Sequence, residues 1–393
     1  MFFNYFLNTN IGKLNIFNFR SVQDLGIGPI DLRPIPQFFS NLNFISYLST
    51  SILVHMIHRF KQYLKKQFIS FPTDFDQQTL PWIDVAKADI PNFVENYTFS
   101  ENLPFDLQEK LTFWEKNGYV ILENIIPENL IDFYMKDVDE LIQHKEQYST
   151  EIRIDLPEYV KNPVQPISAV PMDILMGRFI KINDFHNQSV YGKKLMLHSG
   201  IVGFLQAIFN QTPVAMQSLT FLYGSQQATH QDFPYVTSQI PSHLAAAWIP
   251  LEDVHADAGP LYYFAGSHKI EKFKFGNGIF YNEHSKKNPD DFAIYLYKLC
   301  AQKKLKKETL LIKKGDVLIW HASLVHGGDP IINPLLTRKS FVCHYSSLEG
   351  YQWHRKAMGQ EPTRFKYNGG EVFDNPSLTG IENSFNAGES YQE

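Results

Sequence analysis

"QSLTFLYGSQQATHQDF", residues 217–233, is an apolar run that breaks at Gly224-Ser225 and ends on a histidine and an aspartate two positions apart. In extended backbone, side chains at i and i+2 share a face, so His230 and Asp232 can close on one metal ion. The spacing by itself decides little. With 14 His and 41 acidic residues in 393, His-x-Asp arises by chance, and it recurs at His255 and Asp257. The weight therefore falls on what surrounds the pair.

Working outward, "VAMQSLTFLYG", "HLAAAWIPLEDV", "GPLYYFAGS", "ETLLIKKGDVLIWHAS" and "RKSFVCHYSS" read as short strands punctuated by Gly, Pro and Asp. Short strands with such turns favour a sandwich or barrel over a parallel βαβ sheet. Upstream, the spacing of Leu107, Leu111 and Trp114 predicts a helix stopped at Asn117-Gly118. "YVILENI" follows as a strand, residues 127–145 as a helix opening with proline, and residues 189–210 as a third helix. Residues 1–100 read as an N-terminal extension of unknown role, rich in Asn and Phe and cut by prolines. Residues 101–350 form the main domain, and the polar, Gly- and Asn-rich residues 351–393 read as a loop-rich tail.

Composition removes several classes of function. Hydrophobic residues at 44% and aromatics at 15% indicate a globular chain. A net charge of -5, with no basic stripe carrying interleaved aromatics, gives no reason to expect nucleic acid as a partner. Neither GxGxxG nor GxxxxGK[ST] occurs, so nucleotide binding lacks a motif. Two cysteines, Cys300 and Cys343, cannot build a disulfide framework or a thiolate zinc site. The start "MFFNYFLNTN" lacks a basic secretory n-region, and the expectation is a cytoplasmic protein. Residues 38–58 carry no formal charge and lead into the basic "RFKQYLKK". Phe38, Leu42, Ile45, Leu48, Ile52 and Met56 step by three or four, the pattern of a helix packed on the domain. Interrupting Ser, Asn and His residues make membrane contact through residues 38–65 the less favoured reading. No feature specifies an oligomeric state.

A third ligand to a metal at His230 and Asp232 has to come from a distant strand. "KKGDVLIWHASLVHGGDP" offers His321 and His326, and Arg338 follows at the start of the next strand. Two His and one carboxylate on one face of a metal form the facial triad of non-haem Fe(II) oxygenases. An arginine nearby can grip a co-substrate carboxylate in bidentate fashion.

These motifs, with "FWEKNGYVILENII" and "AAWIPLEDVHADAGPLYYFAGSHK" in the same order, resemble the phytanoyl-CoA dioxygenase family of Fe(II)/2-oxoglutarate oxygenases over roughly residues 105–348. The resemblance implies a double-stranded β-helix, the cupin-like jelly roll, mainly β with flanking helices. It places iron on His230, Asp232 and His326 and the distal carboxylate of 2-oxoglutarate on Arg338. It implies Fe(II), 2-oxoglutarate and O2 as cofactor and co-substrates, hydroxylation of a small-molecule metabolite, and release of succinate and CO2. Gln217 occupies a position that contacts 2-oxoglutarate in some relatives. His326 precedes Gly327-Gly328, and its spacing to Arg338 fits the family, which leaves His321 as a pocket or strand-end residue. Relatives commonly carry Ser two residues after the distal His. Here it is Gly328, so a hydroxyl contact to the co-substrate is missing, and Thr220, Tyr223 or water are the substitutes considered. Trp248, Tyr262, Tyr263 and Phe264 read equally as pocket lining or core. His255 and Asp257 read as a chance pair in a turn, and His268 as a turn residue. The alternative is a cupin-like metal-dependent isomerase or a non-catalytic metal-binding relative, neither of which needs a cation placed like Arg338.

Overall fold

A computed structural model describes residues 72–99, 102–177, 180–357, 359 and 364–373 of the chain. The expected helix within residues 38–58 lies outside the described residues. Among those described, no helix is long and apolar enough to cross a membrane.

Helix α1 (Ile90–Asn96) is followed by α2 (Leu107–Asn117), which Asp106 caps by accepting from the Glu109 amide. Gly118 ends α2 in the left-handed region, with φ 75° and its amide on the Trp114 carbonyl. A side chain there would be strained by that φ and would also strike the His268 ring. The turn delivers β1 (Tyr119–Leu122), and Pro127 then opens α3 (Glu128–Gln143) as expected. The chain continues through β2 (Glu151–Ile154), β3 (Val164–Pro166), the single turn α4 (Met172–Leu175) and β4 (Ile180–Asn183).

The expected helix over residues 189–210 is two helices, α5 (Val190–Met196) and α6 (Ser199–Phe209). His198 breaks it by adopting extended backbone and accepting from the Gly200 amide, so a second N-cap sits inside one apolar run.

The strands that follow are β5 (Pro213–Phe221), β6 (Ala245–Pro250) and β7 (Leu261–Phe264). Helix α7 (Pro289–Gln302) then intervenes; a capping box between Asn288 and Asp291 starts it, a signal the strand pattern around it obscured. "ETLLIKKGDVLIWHAS" is not one strand. It contains β8 (Lys307–Thr309) and β9 (Val317–His321), separated by the turn at Gly315. Next come β10 (His326–Gly328) and β11 (Ser340–Ser347).

The larger sheet runs β1-β9-β6-β11-β5-β4-β2-β3, and the smaller β10-β7-β8. Strand alternation gives the larger sheet two faces. Val120, Leu122, Ala245, Ala247, Val317, Ile319, Phe341 and Cys343 pack with α2, α3 and α6 through Trp114, Tyr134 and Phe204. The opposite parity, including Tyr119, Phe221, Ala246, Trp248, Leu318, Trp320 and Val342, packs against Leu261 and Tyr263 of the smaller sheet. Covering on both faces explains why every residue of β6, β9 and β11 is buried. The fold is a double-stranded β-helix with helices on its outer face.

Two expected boundaries move. The last part of the proposed extension belongs to the domain: Trp82 Nε1 donates to the Ala207 carbonyl, the Tyr97 hydroxyl to that of Gly203, and Phe75 packs on Phe233, Leu244 and Ala322. The tail is not all loop. Helix α8 (Leu348–Ala357) leads to the hairpin β12 (Arg364–Tyr367) and β13 (Gly370–Phe373), and β13 pairs in parallel with β5. Its polar, Gly-rich sequence hides the strand because only Val372 and Phe373 carry large apolar side chains into the core.

Candidate metal centre

His230 sits outside the named strands yet forms a bridge to the first residue of β10. Its amide donates to the His326 carbonyl at 2.9 Å, and the His326 amide returns the bond at 3.0 Å. The two rings therefore lie side by side, 4.2 Å between centroids. Two residues on, the Asp232 amide donates to the Ala322 carbonyl, which turns the carboxylate toward the rings. One ligand atom from each of His230, Asp232 and His326 lies within 4.8 Å of the others. Asp232 Oδ1 is 3.6 Å from Nε2 of both histidines.

The two imidazoles are held in the same way. His230 Nδ1 is 2.8 Å from the Ala228 carbonyl and His326 Nδ1 is 3.0 Å from the Leu324 carbonyl. A carbonyl only accepts, so Nδ1 carries a proton in both rings, which leaves each Nε2 on the side of Asp232 as the atom available to a metal. Burial, with His326 alongside, pushes the His230 pKa down to about 3, which keeps the ring in the neutral form a metal requires. For Asp232, burial works to raise the pKa, but His326, His344 and His230 outweigh it and hold the carboxyl well below its usual range. Two imidazoles and one carboxylate make a donor set suited to a divalent cation.

Arg338 lines the same cleft, 3% exposed. Its guanidinium carbon is 5.4 Å from the Trp248 ring centroid and 6.0 Å from that of Phe221. One amino nitrogen donates to the Tyr223 carbonyl at 3.4 Å, and Nε has no partner among the described residues. Burial lowers its pKa to about 10, Glu252 acting against the shift. A buried cation with an unused donor, flanked by aromatic rings, fits an anionic group in the cleft.

Gln217 also lines the cleft, with its side-chain amide 3.1 Å from His344 Nδ1. His321 does not line it. Trp320 takes the inward parity of β9, so His321 turns outward and its Nε2 lies 3.2 Å from Asp84 Oδ2. His255 and Asp257 are an exposed pair in a turn, 3.9 Å apart. His268 is buried against the end of α2, with Nε2 on the Glu115 carbonyl. Trp248 lines the cleft, Tyr263 faces inward onto Tyr119, and Tyr262 and Phe264 face outward toward α7.

Gly328 has a steric cause. A Cβ there would lie 2.8 Å from the Gln226 amide nitrogen and 3.0 Å from its Cα, so the 226–227 backbone occupies the space a serine side chain needs. Neither proposed substitute reaches the cleft. Thr220 Oγ1 is on the helix-covered face, 2.6 Å from the Tyr134 hydroxyl, and the Tyr223 side chain packs against the outer core.

Two residues at the centre escape the sequence reading. Trp320 Nε1 donates to Asp232 Oδ2 at 2.7 Å, and His344 Nε2 lies 3.5 Å from the same oxygen. A usable signal existed for His344. It has the parity of Arg338 and Val342 along β11, so a polar residue on that face of a buried strand points into the cleft.

The profile of the family described as "Phytanoyl-CoA dioxygenase (PhyH)" matches residues 114–339. A "Phytanoyl-CoA dioxygenase domain-containing protein 1 homolog" of Caenorhabditis elegans is 22% identical over 294 residues, 67% of this chain and 98% of that protein. The "Phytanoyl-CoA dioxygenase, peroxisomal" of Rattus norvegicus is 20% identical over 279 residues, 67% of this chain and 75% of that protein. Among solved structures, EctD from S. alaskensis is similar with a TM-score of 0.47 and 17% identity, covering 64% of this chain and 81% of that one. The family match spans more than half of the sequence and contains the His230, Asp232 and His326 cluster: the chain belongs to the phytanoyl-CoA dioxygenase family.

Proposed function

We propose that the chain is an Fe(II)- and 2-oxoglutarate-dependent oxygenase that hydroxylates a small-molecule metabolite. The observation that carries the reading is the convergence of His230, Asp232 and His326 in a cleft that a buried, under-bonded Arg338 also lines. An isomerase or a bare binding module gives such an arginine no task.

In this reading His230, Asp232 and His326 hold the iron, and Arg338 holds the far carboxylate of 2-oxoglutarate. Fe(II) with 2-oxoglutarate and O2 supplies the oxidative chemistry: one oxygen atom ends in succinate as CO2 is lost, and the other goes to a substrate C–H. The protein's share is placement. The shared backbone bridge keeps the two imidazoles adjacent, and the carbonyls of Ala228 and Leu324 keep their Nε2 atoms free to bind. Phe221, Trp248, Leu219 and Val342 wall the passage between the ligands and Arg338, which excludes water and strengthens the arginine's hold on an anion. Gln217 is a candidate contact to 2-oxoglutarate that also touches His344.

Anaerobic addition of Fe(II) and 2-oxoglutarate should produce a 2-oxoglutarate-dependent charge-transfer band, and admission of O2 should yield succinate, slowly without substrate. A metabolite library scored by stimulated succinate formation then identifies the substrate. Absence of both the band and succinate would remove the reading.

A further inference from the structure

Asp232 gives its two oxygens to different neighbours. Oδ1 faces the two histidine Nε2 atoms, while Oδ2 accepts from Trp320 Nε1 at 2.7 Å and lies 3.5 Å from His344 Nε2. His344 is 4% exposed, and its Nε2 has no hydrogen-bond partner among the described residues, the 3.5 Å approach to Asp232 Oδ2 being longer than a formed bond. On the far side of the ring, Nδ1 is 3.1 Å from Gln217 Nε2. An amide nitrogen only donates, so Nδ1 accepts and the ring's N–H is Nε2, on the side of Asp232. The opposite orientation of the Gln217 amide would set the Nε2 lone pair against an ionised carboxylate, which is repulsive.

The sheet builds this arrangement in one cross-strand row. Ala246 of β6 is the register partner of both Trp320 on β9 and His344 on β11, and His344 is in turn the partner of Gln217 on β5. All four side chains share a face, and a methyl group at the middle position leaves the room above it in which the indole and the imidazole approach one carboxylate oxygen.

We propose that His344, oriented by Gln217 and acting with Trp320, is a positioning residue that withholds Asp232 Oδ2 from the metal and so keeps Asp232 a one-oxygen ligand. The proposal rests on the metal reading of His230, Asp232 and His326. A carboxylate with both oxygens free can take a divalent cation through one or both; the Trp320 donor on Oδ2, with the His344 ring alongside, fixes the choice and leaves a coordination position for co-substrates. Partners of this kind behind a ligand typically contribute 10–100-fold in metal affinity.

The test uses Co(II), whose visible absorption reports coordination, titrated into the metal-free full-length chain without 2-oxoglutarate. The wild type should bind one Co(II) per chain. His344→Phe should keep the melting temperature of the metal-free protein near wild type, bind Co(II) about 10–100-fold more weakly and change the intensity of the absorption band. His344→Gln, whose amide can still donate to Oδ2, should recover most of both. Gln217→Leu, which leaves the His344 ring in place, should shift affinity in the same direction by less, and it carries the test if His344→Phe does not fold. Wild-type affinity and spectrum in both His344→Phe and Gln217→Leu, or equal losses in His344→Phe and His344→Gln, would overturn the positioning role. A wild-type chain that takes up no Co(II) would overturn the metal reading and this proposal with it.

Discussion

His230 and His326 come from distant parts of the sequence and exchange both of their backbone hydrogen bonds, at 2.9 and 3.0 Å. The pairing holds the ring centroids 4.2 Å apart before any metal is considered. A preformed pair limits the entropy lost on metal binding, because neither ring has to be gathered from solvent.

His326→Ala should therefore abolish binding of Fe(II) or Co(II), while His321→Ala retains it. The first removes an Nε2 from the cluster; the second removes a ring that faces Asp84 on the other side of β9. Metal content by mass spectrometry after desalting distinguishes them. An exchange of the two behaviours would reverse the assignment of the distal ligand.

Arg338→Leu should leave metal content near normal and raise the 2-oxoglutarate concentration needed for half-maximal turnover by about 10- to 100-fold, the weight of a lost charge-assisted contact. Arg338→Lys should recover part of this. A lysine keeps the charge but loses the planar fork that fits between Trp248 and Phe221. Titration of 2-oxoglutarate at saturating metal gives the comparison.

Stability should fall as pH drops below about 6.5, the unfolded pKa of histidine. Burial pushes the pKa of both His186 and His268 down to about 3 in the folded chain. Between these values the unfolded state binds protons that the folded state does not, so each histidine costs about 2 kcal/mol by pH 5. Above pH 6.5 both states are neutral and the contribution is constant. Urea midpoints at pH 7.5 and pH 5 should differ more for the wild type than for His186→Gln, whatever the variant's absolute stability.

A chain begun at residue 101, the boundary expected from composition, should melt well below one that keeps residues 72–100. It loses Phe75 from its packing on Phe233 and Asp84 from its contact with His321. Phe75→Ala alone should cost about 3 kcal/mol, and Asp84→Ala about 1–3 kcal/mol, by leaving a buried histidine donor unpaired. Phe233 adjoins Asp232, so Phe75→Ala should also weaken Co(II) binding. Unchanged melting of the truncated chain would restore the original boundary.

The parts of the architecture visible in the sequence were those whose signal is local. Asp106 and Gly118 bracket α2, Pro127 opens α3, and β5, β6, β7 and β11 stand out as apolar runs between turn residues. The parts that were hidden lacked such a signal. β13 earns its place by adding to the edge of β5 rather than by its own composition, and His198 interrupts an otherwise continuous apolar stretch through a single side-chain cap.

The candidate metal cluster divides along the same line. Sequence alone determined the residue types, the His-x-Asp spacing, the two candidate distal histidines, and, through the resemblance carried by the surrounding motifs, the choice of His326. Tertiary structure decided what no spacing encodes: that His321 faces Asp84, that the 226–227 backbone fills the space beside Gly328, and that Trp320 and His344 meet on Asp232 across Ala246. The physical reason is register. A side chain's face follows from its own strand, but its neighbours across the sheet follow from how separate strands align, and that alignment is set by packing over the whole core.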